Sequence, residues 1–487
     1  MTLKQSIGLA VIAFWCAMNY LLIKRQLWAP AAPLFVSGTE FITEPSAEWW
    51  GIYYRGEKIG YTSQTIEPEA DGYRLRDESM MRLNLMGTTH FTSTHLAMIV
   101  DKEWVLKDFN FELESNDVRY RSSGKIQAGK LQIEVQSGGH TTVQELPVTQ
   151  PPYILAALKP LIATQQLEPG KEHFFSTFDP ATLSQQITSV VIEARESVSI
   201  GDRTEPSIRI RQNFKGLSVV SWIDGQGRTL KEESPGGFAL RRETPQQAKA
   251  FDGAPALALD MIAQTSIPVG APIEEPQRKT SLRLKLTGVN LANFALSQGR
   301  QRLSQNQLVV EREKISASGS YKIPLQDFRF YSFLQPTAFV QSDHPRLRAM
   351  VRQILGDETD AYKAVLRLKH WVYTEIKKEP TISIPNALDV LQTRRGDCNE
   401  HTVLFNALAR AAGVPAKTVV GLVHLHGAFY YHAWSEVWLG DWVTLDSVLD
   451  QFPADVTHIK FVEGEIDRQV DILQLIGNLK IDVVEVR

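Results

Sequence analysis

Three side chains late in this chain have the types and order for nucleophilic attack on a carbonyl: Cys398, His432 and Asp446. Cys398 follows Thr393-Arg394-Arg395-Gly396-Asp397, and the run after it, Asn399 to Ala412, reads as a helix. Val403, Leu404, Ala407, Leu408 and Ala411 recur there on one face of a 3.6-residue period, and Gly413 and Pro415 stop it. The sulfur therefore stands at a helix N-terminus, where unpaired N–H groups and the positive end of the dipole favour a thiolate. Asp397 is placed to cap that helix, and Glu400 falls in its first turn. A sulfur nucleophile also needs a proton partner, and that partner needs a third group to fix its tautomer. His432 lies in Tyr430-Tyr431-His432-Ala433-Trp434 and Asp446 ends Trp442-Val443-Thr444-Leu445-Asp446, two consecutive strand-like segments.

The turn between those segments decides whether the pair can meet. A regular two-residue hairpin at Gly440-Asp441 would pair Leu439 with Trp442 and put Asp446 on the face opposite His432. A working pair therefore requires a bulge or an odd-length loop.

The three motifs in this order resemble the transglutaminase-like superfamily of papain-type thiol enzymes. Its core carries Gly-Asp-Cys at a helix start, a later His-Ala-Trp, and Trp-x-x-x-Asp on the next strand; the matching residues here are Gly396-Asp397-Cys398, His432-Ala433-Trp434 and Trp442 to Asp446. The third motif departs from the Asp-Pro-Thr of many bacterial relatives and reads Asp446-Ser447-Val448. The resemblance covers roughly the last third of the chain. It implies Cys398 as nucleophile, His432 as its acid and base, and Asp446 as the group that orients the imidazole. Gln392, six residues before Cys398, has the offset at which papain-like enzymes place a side-chain oxyanion donor; the backbone N–H of Cys398 is a second candidate.

The implied reaction is acyl transfer on peptide or protein amide bonds through a thioester, ending in hydrolysis or in transamidation. A catalytically inactive scaffold built on the same fold is the alternative. Zinc is a third reading, because Cys398-x-x-His401 with His424-x-His426 offers ligand types that it accepts. No helical histidine pair or Cys-x-x-Cys supports it, no calcium loop is present, and no cofactor is expected.

Composition narrows the partners. The chain has 487 residues and a net charge of −3, and its short basic clusters, such as Arg119-Tyr120-Arg121, read as solvated surface rather than as a nucleic-acid footprint. Its other cysteine, Cys16, sits in an apolar N-terminal run, so no structural disulfide is expected. That run, Ile7 to Ile23, carries no charge, is flanked by Lys4 and by Lys24-Arg25, and at the helical rise covers about 25 Å. It reads as a retained single-pass signal-anchor, with the N-terminus inside and the bulk of the chain in the periplasm, tethered to the inner membrane.

Between anchor and site the pattern is mostly strand. Residues 30–47 are a Pro- and Ala-containing spacer, and residues 48–245 hold short strand candidates separated by turn signals, broken by one helical stretch near Tyr153–Ala163. This predicts an antiparallel β domain, a curved sheet or open barrel. Residues 246–335 form a connection and a small β module around Leu282–Leu286 and Gln307–Glu313. Residues 336–487 read as helices followed by a strand meander that ends at Ile481–Val486, the arrangement that the transglutaminase-like resemblance also implies. The whole is thus α+β: a transmembrane helix, a large antiparallel β domain and a papain-like C-terminal domain.

Overall fold

A computed structural model describes residues 42–487 except 117, 138, 165–168, 202, 215, 252–260, 271 and 316–319. The expected anchor falls outside the described residues; among those, no helix is long and apolar enough to cross a membrane.

Residues from Ser46 to Arg242 build one fourteen-stranded antiparallel sheet. The first eight strands run outward from Ser46–Tyr54 to an edge at His140–Pro147; the chain then crosses to the far edge at Glu172–Asp179 and returns strand by strand until Phe238–Arg242 pairs with Ser46–Tyr54. Two-residue turns such as Arg55-Gly56, Met86-Gly87 and Ala128-Gly129 hold both residues at positive φ, the hairpin geometry that matches strand twist. Helix Leu155–Thr164 makes the crossing, and its Ala157, Leu158, Leu161 and Ile162 pack against both halves of the sheet, from Leu75, Met98, Phe109 and Ile133 to Phe175, Val190 and Ile210. That core is where the alternating apolar residues of the strands go. Ala338, Phe339 and Ile384 join it, which ties the sheet to the segments that lead into the C-terminal domain.

In that domain the helices Pro345–Leu355, Ala361–Glu375 and Ala387–Thr393 surround the helix Cys398–Ala411 in one apolar core. Val403, Leu404, Ala407 and Leu408 are all buried, as the periodicity predicted. A five-stranded sheet packs against them, with Ala416–Leu425 between Ala428–Trp438 and Ile459–Glu463, and with Trp442–Leu445 and Ile267–Pro268 on the outer edge of Ala428–Trp438.

The last strand is placed differently from the sequence expectation. Lys480–Val486 does not extend the meander; it pairs with Ser281–Thr287, completing the small sheet that also holds Gln301–Ser304 and Gln307–Glu311. Leu282, Leu284, Leu286, Leu308, Val310 and Ile481 share their core with Leu422, Phe429 and Phe461 of the five-stranded sheet. The small module therefore has no core of its own, and burying its apolar face requires the C-terminal domain.

Candidate active site

The start of the Cys398 helix is fixed from three directions. Lys377-Lys378 pairs in parallel with Arg395-Gly396, and Glu379 N–H donates to the Gly396 carbonyl at 3.0 Å. Asp397 caps the helix by accepting from Asn399 N–H at 3.0 Å, and Glu400 reaches back to accept from Asp397 N–H at 2.9 Å, a reciprocal capping box. Ser383 Oγ also donates to the Glu400 carboxylate. Gly396 makes this possible, because a Cβ there would stand 2.2 Å from the Glu400 Cβ. Gly396→Ala is thus expected to eject Glu400, dismantle the box and cost about 1–3 kcal/mol; the denaturant midpoint of the variant measures it.

The half-buried Cys398 sulfur accepts a hydrogen bond from the N–H of Ala433, the residue after His432. Its charge state differs from the sequence expectation. Burial, then Asp397, and further the Glu400 and Asp446 carboxylates push the thiol well above the usual cysteine range, and the Ala433 N–H opposes them only in part. The helix terminus alone predicts a thiolate, whereas the acids that cap it and face it favour the neutral thiol. Asp397 itself is pushed well up by burial and by Glu400.

His432 and Asp446 meet. The turn between their strands has three residues, Leu439-Gly440-Asp441, with Trp438 opposite Trp442 and Ser435 opposite Leu445. The odd length carries Asp446 to the same face as His432, the irregularity that the sequence required. His432 Nε2 donates to Asp446 Oδ2 at 2.7 Å, which fixes the ring's orientation and leaves Nδ1 as the nitrogen not bound to the carboxylate. Trp434 lies stacked on His432 with ring centroids 6.1 Å apart and is itself buried. Gly421, paired across the sheet with His432, leaves the space: a Cβ there would approach Trp434 to 2.9 Å and the Ile459 carbonyl to 1.9 Å. The departure at Ser447-Val448 does not loosen the carboxylate, since Asp446 Oδ1 accepts from Val448 N–H at 2.6 Å and Leu449 N–H at 2.9 Å.

Two residues of this site were not singled out from the sequence. His458 Nε2 donates to the same Asp446 Oδ2 at 2.9 Å, and its Nδ1 lies 3.2 Å from Asp455 Oδ1. Both nitrogens face carboxylates, an arrangement that favours the doubly protonated ring. Despite complete burial, Asp446 and Asp455 raise its proton affinity to a pKa of about 9. The same contacts hold Asp446 and Asp455 well below the usual carboxylate range against the opposing effect of burial. Arg300, from the small module, clamps this loop through the carbonyls of Ala454, Asp455 and His458 at 2.7–2.8 Å. The only trace in the sequence was Asp455-x-Thr457-His458, an acid whose carboxylate ties down the following loop N–H at 2.8 Å.

A stability consequence has a definite sign. His458 holds its proton more tightly in the folded chain than a free imidazole, whose ordinary value is 6.5. Its contribution is complete below about pH 6.5 and is lost as pH rises through about 9, for about 3 kcal/mol in all. Denaturant melts across pH 6–10 should show that decline, and His458→Gln should flatten it.

His432, Asp446 and His458 offer ligand atoms within 4.8 Å of one another, the one such group among the described residues. Protons suit it better than a metal: separations of 2.7 and 2.9 Å are hydrogen-bond lengths, and a metal would have to displace the tightly held His458 proton. The zinc set considered from sequence is not assembled. His401 Nδ1 donates to the Asp397 carbonyl at 2.7 Å, His424 accepts from Ile273 N–H at 3.4 Å, and His426 is exposed in a turn.

Gln392 is exposed on helix Ala387–Thr393. It lines a cleft of about 490 Å³ between that helix, the loop Thr381–Asn386 and the sheet residues Arg119, Arg121, Ser137 and His140; Glu400 is on its wall and Cys398 is not. Asp389, in the same wall, accepts from Ser137 and is pushed up to about 6 by burial.

Residues 348–447 match the model of the transglutaminase-like superfamily, a span that includes Cys398, His432 and Asp446. This part of the chain is a transglutaminase-like domain. His458 and Asp455 lie beyond the matched span. An uncharacterized protein of Mycobacterium leprae is 28% identical over 134 residues, 25% of this chain and 47% of the relative, so the chain spans about half of that protein's length. Among solved structures, a candidate cysteine protease from Cytophaga hutchinsonii is 18% identical, with 43% of this chain and 86% of the other covered and a TM-score of 0.29. A β-barrel-like protein of a domain of unknown function from Brucella abortus is 14% identical, with 41% and 95% covered and a TM-score of 0.33.

Proposed function

We propose that this protein transfers acyl groups from peptide or protein amide bonds through a thioester on Cys398, with His432 and Asp446 completing the triad. The observation that carries the reading is the 2.7 Å bond between His432 Nε2 and Asp446, in a chain whose next amide N–H is bonded to the Cys398 sulfur. Because the thiol is held neutral, its proton passes to His432 Nδ1 as Sγ attacks the amide carbon. Asp446 stabilises the resulting imidazolium, and the Cys398 N–H, in the first helical turn and without an intrahelical acceptor, serves the oxyanion. Gln392 lines a cleft that Cys398 does not, so its proposed role is contact with substrate extending along the Glu400 wall rather than with the oxyanion itself. His432 then protonates the leaving amine, and the thioester is resolved by water or by a second amine, with His432 taking the acceptor's proton.

Hydrolysis is the expected main outcome and transamidation the branch. The enzyme is proposed to work as a membrane-tethered envelope protein, supported by the uncharged run Ile7 to Ile23 between Lys4 and Lys24-Arg25. The test offers unfolded protein substrates with a biotinylated primary amine and reads new N-termini against incorporated label. New N-termini or label should appear with wild-type protein and disappear with Cys398→Ala. Equal output from both forms would overturn the proposal, and the inactive scaffold would take its place.

A further inference from the structure

Four buried side chains form one hydrogen-bonded chain: His432, Asp446, His458, Asp455. Every acceptor site of the two acids is supplied from within. Asp446 takes two imidazole N–H groups on Oδ2 and two backbone N–H groups on Oδ1. Asp455 takes Thr457 N–H at 2.8 Å and Thr457 Oγ–H at 2.6 Å on Oδ1, and Gln451 Nε2 at 3.0 Å on Oδ2. Neither acid has a reason to hold a proton, so His458, between them, is the group that does. Its ring stands 5.8 Å from that of His432 and edge-on to Trp434 at 5.3 Å, and nothing about it reaches solvent.

We propose that His458 is a positioning residue of the site, a permanent buried imidazolium that orients Asp446 and cancels most of its charge. The inference rests on the reading of Cys398, His432 and Asp446 given above. An unbalanced Asp446 carboxylate would hold the imidazolium of His432 so firmly that returning the proton to a leaving amine becomes difficult, and it would oppose ionisation of Cys398. The cation behind it relieves both effects. Other charges around the pair are already matched: Arg300 with Glu313 at 3.0 Å, and Lys460 with Glu436 at 2.9 Å. His424 lies near Asp455, and Asp397 and Glu400 act on Cys398. None of these supplies a fixed positive charge on Asp446 in place of His458.

Two measurements on the full chain test the proposal. The first records the imidazole nitrogens of protein carrying ¹⁵N only in its eleven histidines. One ring should keep both N–H protons from pH 6 to about 8.5, and a set in which every ring is neutral at pH 8 overturns the proposal. The second follows the rate at which iodoacetamide alkylates Cys398 against pH, in wild type and in His458→Gln, which keeps a donor to Asp446 without the charge. Loss of the cation behind Asp446 should move the low-pH limb upward by about one to two pH units. A folded variant whose rate falls without a shift in the limb leaves His458 a merely structural residue and overturns the proposal. Should His458→Gln fail to fold, the nitrogen spectrum of the wild type decides. Failure of the acyl-transfer reading would show as activity independent of Cys398, which leaves the nitrogen spectrum untouched and so remains distinct from failure of this one.

Discussion

Asp446→Ala is expected to destabilise the C-terminal domain by about 3–5 kcal/mol, the cost of breaking a buried ion pair on one side only. The carboxylate has no accessible surface and accepts four hydrogen bonds. Its removal leaves His458 charged in the interior with only Asp455 beside it, frees the His432 ring to rotate, and orphans the N–H groups of Val448 and Leu449. Because Trp434 packs on both rings, tryptophan fluorescence during denaturant unfolding should report the loss. Asp446→Asn keeps the shape and some of the bonds, so it should cost less stability. It should still abolish most activity, since the amide cannot stabilise an imidazolium at His432. If Asp446→Ala melts at the wild-type denaturant concentration, the carboxylate is not the keystone that its contacts indicate.

His432→Ala is expected to lower acyl transfer at neutral pH by about a thousandfold or more, the usual scale for losing the base of a nucleophile–base pair. The surroundings of Cys398 make the dependence steep. Burial and the neighbouring acids push the thiol upward, so without an imidazole to receive its proton the sulfur is expected to react only in alkaline solution. Alkylation of the variant should therefore rise late, with a limb well above the ordinary cysteine value of about 8.5, whereas wild-type protein should react at lower pH. Stability should change little, because the ring is buried at one face of the site but bears one hydrogen bond rather than four. Superposed alkylation profiles would remove His432 from the reaction.

Much of the architecture was written into local pattern. Alternation marked most strands of the large sheet, and the helical stretch near Tyr153–Ala163 is the helix Leu155–Thr164 that crosses between its edges. His140–Pro147 and Phe238–Arg242 carry little local signal for a physical reason: the first is an edge strand whose residues are all at least partly exposed and mostly polar, and the second is short and ends in Arg241-Arg242. Neither carries the apolar alternation that a buried face imposes. The fate of Lys480–Val486 was likewise beyond local reading, because its alternation fits either of two sheets and only their shared core selects one.

For the site, residue types and order alone determined the helix start at Cys398, its Asp397 and Glu400 cap, and the need for an odd turn between His432 and Asp446. Tertiary structure decided the sulfur's protonation, since a helix terminus acts within its own turn while acids from the cap and from a distant strand act through space in a dry interior. It also decided that a second histidine stands behind the triad. His458 has no motif, and it becomes part of the site only because a loop clamped by Arg300 brings its ring between two carboxylates. Chain spacing fixes which groups can neighbour one another along an element; charge balance among buried groups is set by whatever else the fold packs against them.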